Sequence, residues 1–152
     1  MKIAIILALA AALSFAADPF VGTWKAAQPD KWKISPGGKA EERKSLLVTT
    51  ELISKNKYRE TTTTLNGSPV DDHPPFTYVR DGKERRSINN TTVKYELMEE
   101  RHGRATIKGE KGTVVDDLIV SPDGKTATVT RKGTGPTTGR QIDEQFFYER
   151  IK

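Results

Sequence analysis

The sequence predicts an all-β domain, an antiparallel meander of eight to ten short strands closed as a barrel. Three observations carry this expectation. After residue 18 no helical stripe runs longer than about two turns. In its place come ten runs rich in Thr, Val, Ile and Tyr, the residue types that fit a pleated surface. Gly, Pro, Asn or Asp ends each run, and turns recur about every 8–12 residues, the spacing of a barrel or a sandwich. A closed barrel and a strongly curved sandwich both satisfy the pattern.

The chain opens with Met1 and Lys2, an apolar run from Ile3 to Leu13, and the small-residue stretch Ser14–Ala17. This is the order of a secretory leader: a basic start, an apolar segment, then small residues at a cleavage site. The apolar run is shorter than the roughly 18–20 residues that a membrane helix needs, and Asp18-Pro19 follows at once. We expect residues 1–17 to be a signal peptide cut near Ala16 or Ala17, residues 18–152 to form the domain, and the product to be secreted or periplasmic. No later run approaches a membrane span.

The strand runs are Phe20–Ala27, Ser45–Ser54, Lys57–Leu65, Phe76–Arg80, Lys83–Ile88, Thr92–Glu99, Arg104–Gly109, Thr113–Ser121, Lys125–Lys132 and Gln141–Ile151. Asn66-Gly67, Asp81-Gly82, His102-Gly103, Lys111-Gly112 and Asp123-Gly124 each put a residue tolerant of positive φ where a hairpin reverses. Ser121-Pro122-Asp123-Gly124 is the clearest turn, with Pro presetting φ and Gly taking the left-handed corner. Gln28–Arg43 and Pro69–Pro75 interrupt the rhythm as polar, Pro-containing connections. They either shape the mouth of a barrel or simply decorate it. Ala127 and Val129 share one strand face, and Phe146 and Tyr148 share another, as period two requires.

Composition narrows the chemistry. The chain has no Cys, so disulfides and thiolate chemistry are excluded. Without its leader the chain carries a net charge of +4 and is about 28% apolar, low for a thick core. Such a chain suits a sheet closed around a small or partly polar interior. Basic residues are interspersed with acids, as in Arg80–Arg86, so no nucleic-acid partner is expected. Asp71-Asp72-His73 offers hard donors, but neighbouring residues of an extended loop point apart, and no metal and no cofactor is expected. His102, in Glu100–Gly103, reads as an exposed turn residue. Asp116 and Asp117 face opposite sides of a strand, which lets one of them point inward, where pairing with an Arg is more usual than catalysis. No catalytic residues are assigned and the domain is not read as an enzyme.

Tyr58, Tyr78 and Tyr95 fall within strand runs, and each supplies a ring to contact a ligand and a hydroxyl to orient it. Tyr78 and Arg80 share a face by parity. With Trp24 these are the candidate ligand-binding residues, although an ordinary core or girdle role is the commoner one for such tyrosines.

Gly22-Thr23-Trp24-Lys25 opens the domain, and Phe147-Tyr148-Glu149-Arg150 ends it. This pairing resembles the calycins, meaning the lipocalins and the fatty-acid-binding proteins. The resemblance implies a lipocalin-like barrel. In it the indole of Trp24 plugs one end, Arg150 packs across the ring, and Gly22 lets another backbone approach. Ser121–Thr126, Thr128–Thr130, Lys132–Thr134 and Tyr148-Glu149 extend the likeness to small exported bacterial proteins of lipocalin-like pattern. That likeness implies fold and location and brings no mechanism with it. The Arg-x-Tyr clamp of the intracellular fatty-acid-binding proteins is absent, because Phe146 stands two residues before Tyr148.

Two functions fit these readings. One is an exported barrel that holds a small apolar or amphipathic ligand, which requires an interior of roughly 300 Å³ or more with a few polar groups. The other is a non-enzymatic envelope module that acts through protein or surface contacts, which requires a filled interior. The sequence leaves the oligomeric state open.

Overall fold

A computed structural model describes residues 17–152. The expected leader, residues 1–17, lies outside the described residues except for its last position. Ten antiparallel strands follow: β1 (Gly22–Ala26), β2 (Leu46–Ser54), β3 (Lys57–Thr64), β4 (Phe76–Val79), β5 (Glu84–Arg86), β6 (Thr92–Glu99), β7 (His102–Gly109), β8 (Gly112–Val120), β9 (Thr126–Thr134) and β10 (Gln141–Arg150). They form one strongly curled sheet in the order β4-β3-β2-β1-β10-β9-β8-β7-β6-β5. The first and last strands pair, with Trp24 opposite Arg150, and this joins the two halves of the meander.

The ring of ladders has a seam between β4 and β5. An isolated bridge from Arg80 to Tyr95 spans it, as does a hydrogen bond from the Gly82 amide to the Tyr95 carbonyl at 2.9 Å. Tyr78 and Tyr95 pack across the seam with ring centroids 4.6 Å apart. The lipocalin-like barrel is therefore closed at this place by side chains and one loop, not by a ladder.

Strand parity assigns the inner face. Trp24 opposes Val48, Val48 opposes Thr62, Tyr58 opposes Tyr78, and Tyr148 opposes Ala127. The core proper is confined to one end and one wall. Phe20, Trp24, Tyr58, Val120 and Ala127 fill the end where the chain enters and leaves. Phe146 and Tyr148 carry the core up the β10 wall.

Several turns form as the sequence implies. At Ser121–Thr126 the Asp123 carboxylate accepts from Ser121 Oγ and from the Lys125 amide, and Gly124 takes φ 71°. Two expected turns lie elsewhere. His102 and Gly103 start β7, and the reversal falls just before them. Gly112 starts β8, so the reversal falls at residues 110–111. Gly103 is needed for space, not for positive φ: a Cβ there would sit 3.1 Å from the Arg80 guanidinium carbon. His102 is likewise no exposed turn residue. Its Nε2 lies 2.6 Å from Asp117 Oδ1, and Arg104 Nε donates to the same oxygen at 2.8 Å.

The connection from β1 to β2 is more than a polar tether. It holds two short 3-10 turns, Pro29–Lys31 and Ala40–Ser45, and buries Trp32, Ser35 and Ala40. Trp32 Nε1 donates to the Ala27 carbonyl at 2.9 Å, and its ring packs on Phe146 and Tyr148. The segment is a cap over the end opposite Trp24.

Candidate functional site

Above the packed end the barrel is hollow. A cavity of about 720 Å³ runs from Arg80 and Gly103 up to the loop carrying His73 and Pro74 and to Ile88 at the opposite rim. Leu46, Val48, Val93, Ile107 and Leu118 give it apolar walls. Tyr78, Tyr95, Tyr148, Glu60, Asp116 and Arg43 set polar groups into them. This volume falls within the range of about 300–1,000 Å³ in which proteins hold small molecules.

Tyr78, Arg80 and Tyr95 line the lumen. Trp24 and Tyr58 do not; they lie beneath it. Trp24 is 6% exposed, its Nε1 donates to the Phe20 carbonyl at 3.2 Å, and Arg150 stacks over its ring at 4.7 Å from the centroid. Gly22, at φ 146°, lies against the Lys152 carbonyl, which would be 2.7 Å from a Cβ. Tyr58 stacks on Tyr78 at 5.5 Å and donates its hydroxyl to Asp18 at 2.6 Å. Burial first, and the Asp18 bond second, push the Tyr58 phenol up to about 12.

Arg80 closes the lumen floor. Its guanidinium carbon lies 3.8 Å from the centroid of Phe20 and 4.6 Å from that of Tyr58, and Nη2 donates to the Tyr78 hydroxyl at 3.3 Å. Nη1 is buried and has no hydrogen-bond partner among the described residues. Stacking on aromatic faces is how a guanidinium, weakly hydrated and planar, tolerates such a site.

The lumen also holds charges that single-residue reading missed. Glu60 follows Tyr58 by two on the same face of β3. Burial raises its pKa, and Arg43 and Arg80 offset only part of that. Asp116 is the inward member of its pair. Burial raises its pKa against the pull of Arg131 and Arg43, with Arg131 Nε 3.3 Å away. Asp117 faces outward. Burial alone would raise it, but its bonds to Arg104 and His102 outweigh that and lower it. Parity from Tyr58 and from Val129 would have found Glu60 and Arg131. No periodic signal marks Arg43, because it hangs from the cap, where it reaches Tyr148 and lies over the Phe146 ring at 5.6 Å.

Asp71-Asp72-His73 lies in the loop beside the mouth, with His73 on the cavity wall. Among the described residues no three His, Cys, Asp or Glu side chains gather as metal ligands would. Among them, too, no helix is long and apolar enough to cross a membrane.

A curled ten-strand sheet, a plugged end and a ligand-sized lumen under a cap define a calycin-type β-barrel. Solved structures share this fold. A Schistosoma mansoni fatty acid binding protein in complex with arachidonic acid superposes with a TM-score of 0.61 at 16% identity, covering 88% of this chain and 97% of that one. A mutant of the fluorescent protein UnaG gives 0.60 at 14% identity, over 90% and 99% of the two chains. The Manduca sexta fatty-acid-binding protein gives 0.54 at 12% identity, over 86% and 98%. No family model and no curated protein matches the sequence.

Proposed function

We propose that this chain is an exported, non-catalytic carrier that holds a small apolar or amphipathic molecule in its lumen. The hollow interior carries this reading. A barrel that acted only through its outer surface would fill the space with side chains, whereas this one keeps about 720 Å³ open between apolar walls. Fold neighbours that bind fatty acids support the same use of the space. Tyr78, Arg80 and Tyr95 are the contacts at the inner end of the ligand, while Trp24 and Tyr58 hold the floor beneath them. The leader pattern of residues 1–17 supports export, and with export the ligand would be met outside the cytoplasm.

The test is to fill the lumen. Ala105 faces inward opposite Tyr95, and Ala105→Phe puts a ring into the open space. We expect wild type to bind an environment-sensitive apolar dye, and Ala105→Phe to lose that binding while its circular dichroism stays that of a β protein. Equal binding by a folded Ala105→Phe, or no displaceable binding by wild type, would refute the reading.

A further inference from the structure

Glu60 stands on β3 between Thr50 of β2 and Phe76 of β4, and its side chain lines the lumen. It is only half-buried, so part of it faces the hollow. Among the described residues no side chain hydrogen-bonds its carboxyl, and Arg43 and Arg80 act on it only at a distance. The other acid of the lumen is placed differently, because Asp116 has Arg131 Nε at 3.3 Å. The two arginines are engaged elsewhere. Arg80 lies over the rings of Phe20 and Tyr58 and gives its Nη2 to the Tyr78 hydroxyl. Arg43 hangs from the cap and meets Tyr148 and the Phe146 ring.

An aromatic wall stands beside this carboxyl. Phe76 is its cross-strand partner, Tyr78 lies against Phe76 with ring centroids 5.7 Å apart, and Tyr95 lies against Tyr78 at 4.6 Å. All three rings line the lumen. Burial first, and the charge of Glu60 to a lesser degree, push up the phenols of Tyr78 and Tyr95, so the carboxyl and these rings share one neighbourhood. A carboxylate flanked by electron-rich rings suits an ammonium. The anion answers the charge and accepts the N–H donors, and the ring faces attract the cation through their quadrupoles. Without such a donor, a carboxylate in this place is costly to keep ionised.

We infer that the lumen takes an organic cation, a compact apolar molecule with a protonated amine, its ammonium held between Glu60 and the rings of Phe76, Tyr78 and Tyr95. The inference rests on the lumen being the ligand site, and it gives the ligand a charge opposite to that of a fatty acid. An anionic ligand would need a cation with free donors facing the hollow, and the Arg80 guanidinium is packed against rings beneath it. The apolar part of the molecule lies against Val48, Val93 and Leu118.

Naphthylmethylamine, naphthylmethanol and naphthylacetate, which share a ring system and differ in head charge, test this by calorimetric titration of the full chain at neutral pH. Wild type should prefer the amine to the other two by about tenfold or more, the worth of one charge-assisted contact. Glu60→Gln keeps the shape and removes the charge. It should bring the amine down to the level of the alcohol and leave alcohol binding little changed. Tyr95→Leu should lower the amine preference about threefold, through the lost ring face. Equal affinity of wild type for amine and alcohol, or a preference for the acetate, would overturn the inference and leave the lumen as the site. An amine preference that survives Glu60→Gln would overturn it too, by moving the cation to another acid. Binding of the apolar dye with none of the three probes would overturn the inference alone. Binding of neither dye nor probes would overturn the carrier reading as well.

Discussion

Replacing Trp24 by Ala removes the floor of the barrel, and its cost follows from three losses. The indole is 6% exposed, and truncating a buried aromatic costs about 3–5 kcal/mol. Its Nε1–H bond to the Phe20 carbonyl adds about 1 kcal/mol. The Arg150 guanidinium, stacked at 4.7 Å, loses a cation–π contact worth about 0.5–2 kcal/mol, though its Nη2 keeps the Pro19 carbonyl at 2.5 Å. These terms overlap, so we expect a total of about 4–6 kcal/mol, a large part of the ~5–15 kcal/mol that a domain possesses. Urea denaturation measures it, with Trp32 on Phe146 and Tyr148 remaining as the fluorescent reporter. Trp24→Phe keeps a ring and gives up the N–H, and should cost about half as much. A loss below about 1 kcal/mol in Trp24→Ala would mean that the floor does not hold the barrel together, and the reasoning from indole burial would fail.

Two further predictions concern other parts of the molecule. Gly133, in β9 at φ 130°, would put a Cβ into the Thr113 carbonyl of β8. Gly133→Ala should therefore destabilise the fold by about 2 kcal/mol or more, through strain and a broken ladder, measured in the same urea titration. Glu60 has a folded pKa above its ordinary 4.5, because burial disfavours the carboxylate. The folded state then keeps that proton to higher pH than the unfolded chain does. Stability should fall as pH rises from about 4.5 through the raised folded value. Asp116 acts with the same sign, whereas Asp117 acts oppositely and only toward more acid pH. Glu60→Gln should flatten the fall above pH 4.5 in thermal melts; an unchanged slope would show that the Glu60 carboxyl is hydrated in the lumen.

The strands were legible in the sequence because each carries its own signal. Ten runs of β-formers produced ten strands, with ends displaced by a few residues at most, as at Phe20–Ala27 against Gly22–Ala26. The Ser121–Thr126 turn was legible because its hydrogen bonds are local. His102-Gly103 was misread because the glycine there answers a distant demand. Arg80, more than twenty residues earlier, needs the space that a side chain would occupy. The cap was misread for a related reason: Trp32, Ser35 and Ala40 are isolated in a polar stretch, and only the barrel end beneath them makes them core. Within the lumen, Tyr78 and Arg80 followed from parity. Arg43 did not, since nothing in the order of residues says where a cap will lay an arginine.

The interrupted ring has one more consequence. A sheet with two free edges invites another chain to add a strand, and from there stacking into aggregates. Here β4 has four residues and β5 has three, and those of β5 are Glu84, Arg85 and Arg86, all exposed. An incoming strand would find almost no length to pair with and three charges to strip of water, while Asp81 is already engaged with Arg85 at 2.6 Å beside it. The gap in the wall is thus guarded against self-association by the brevity and charge of its two borders.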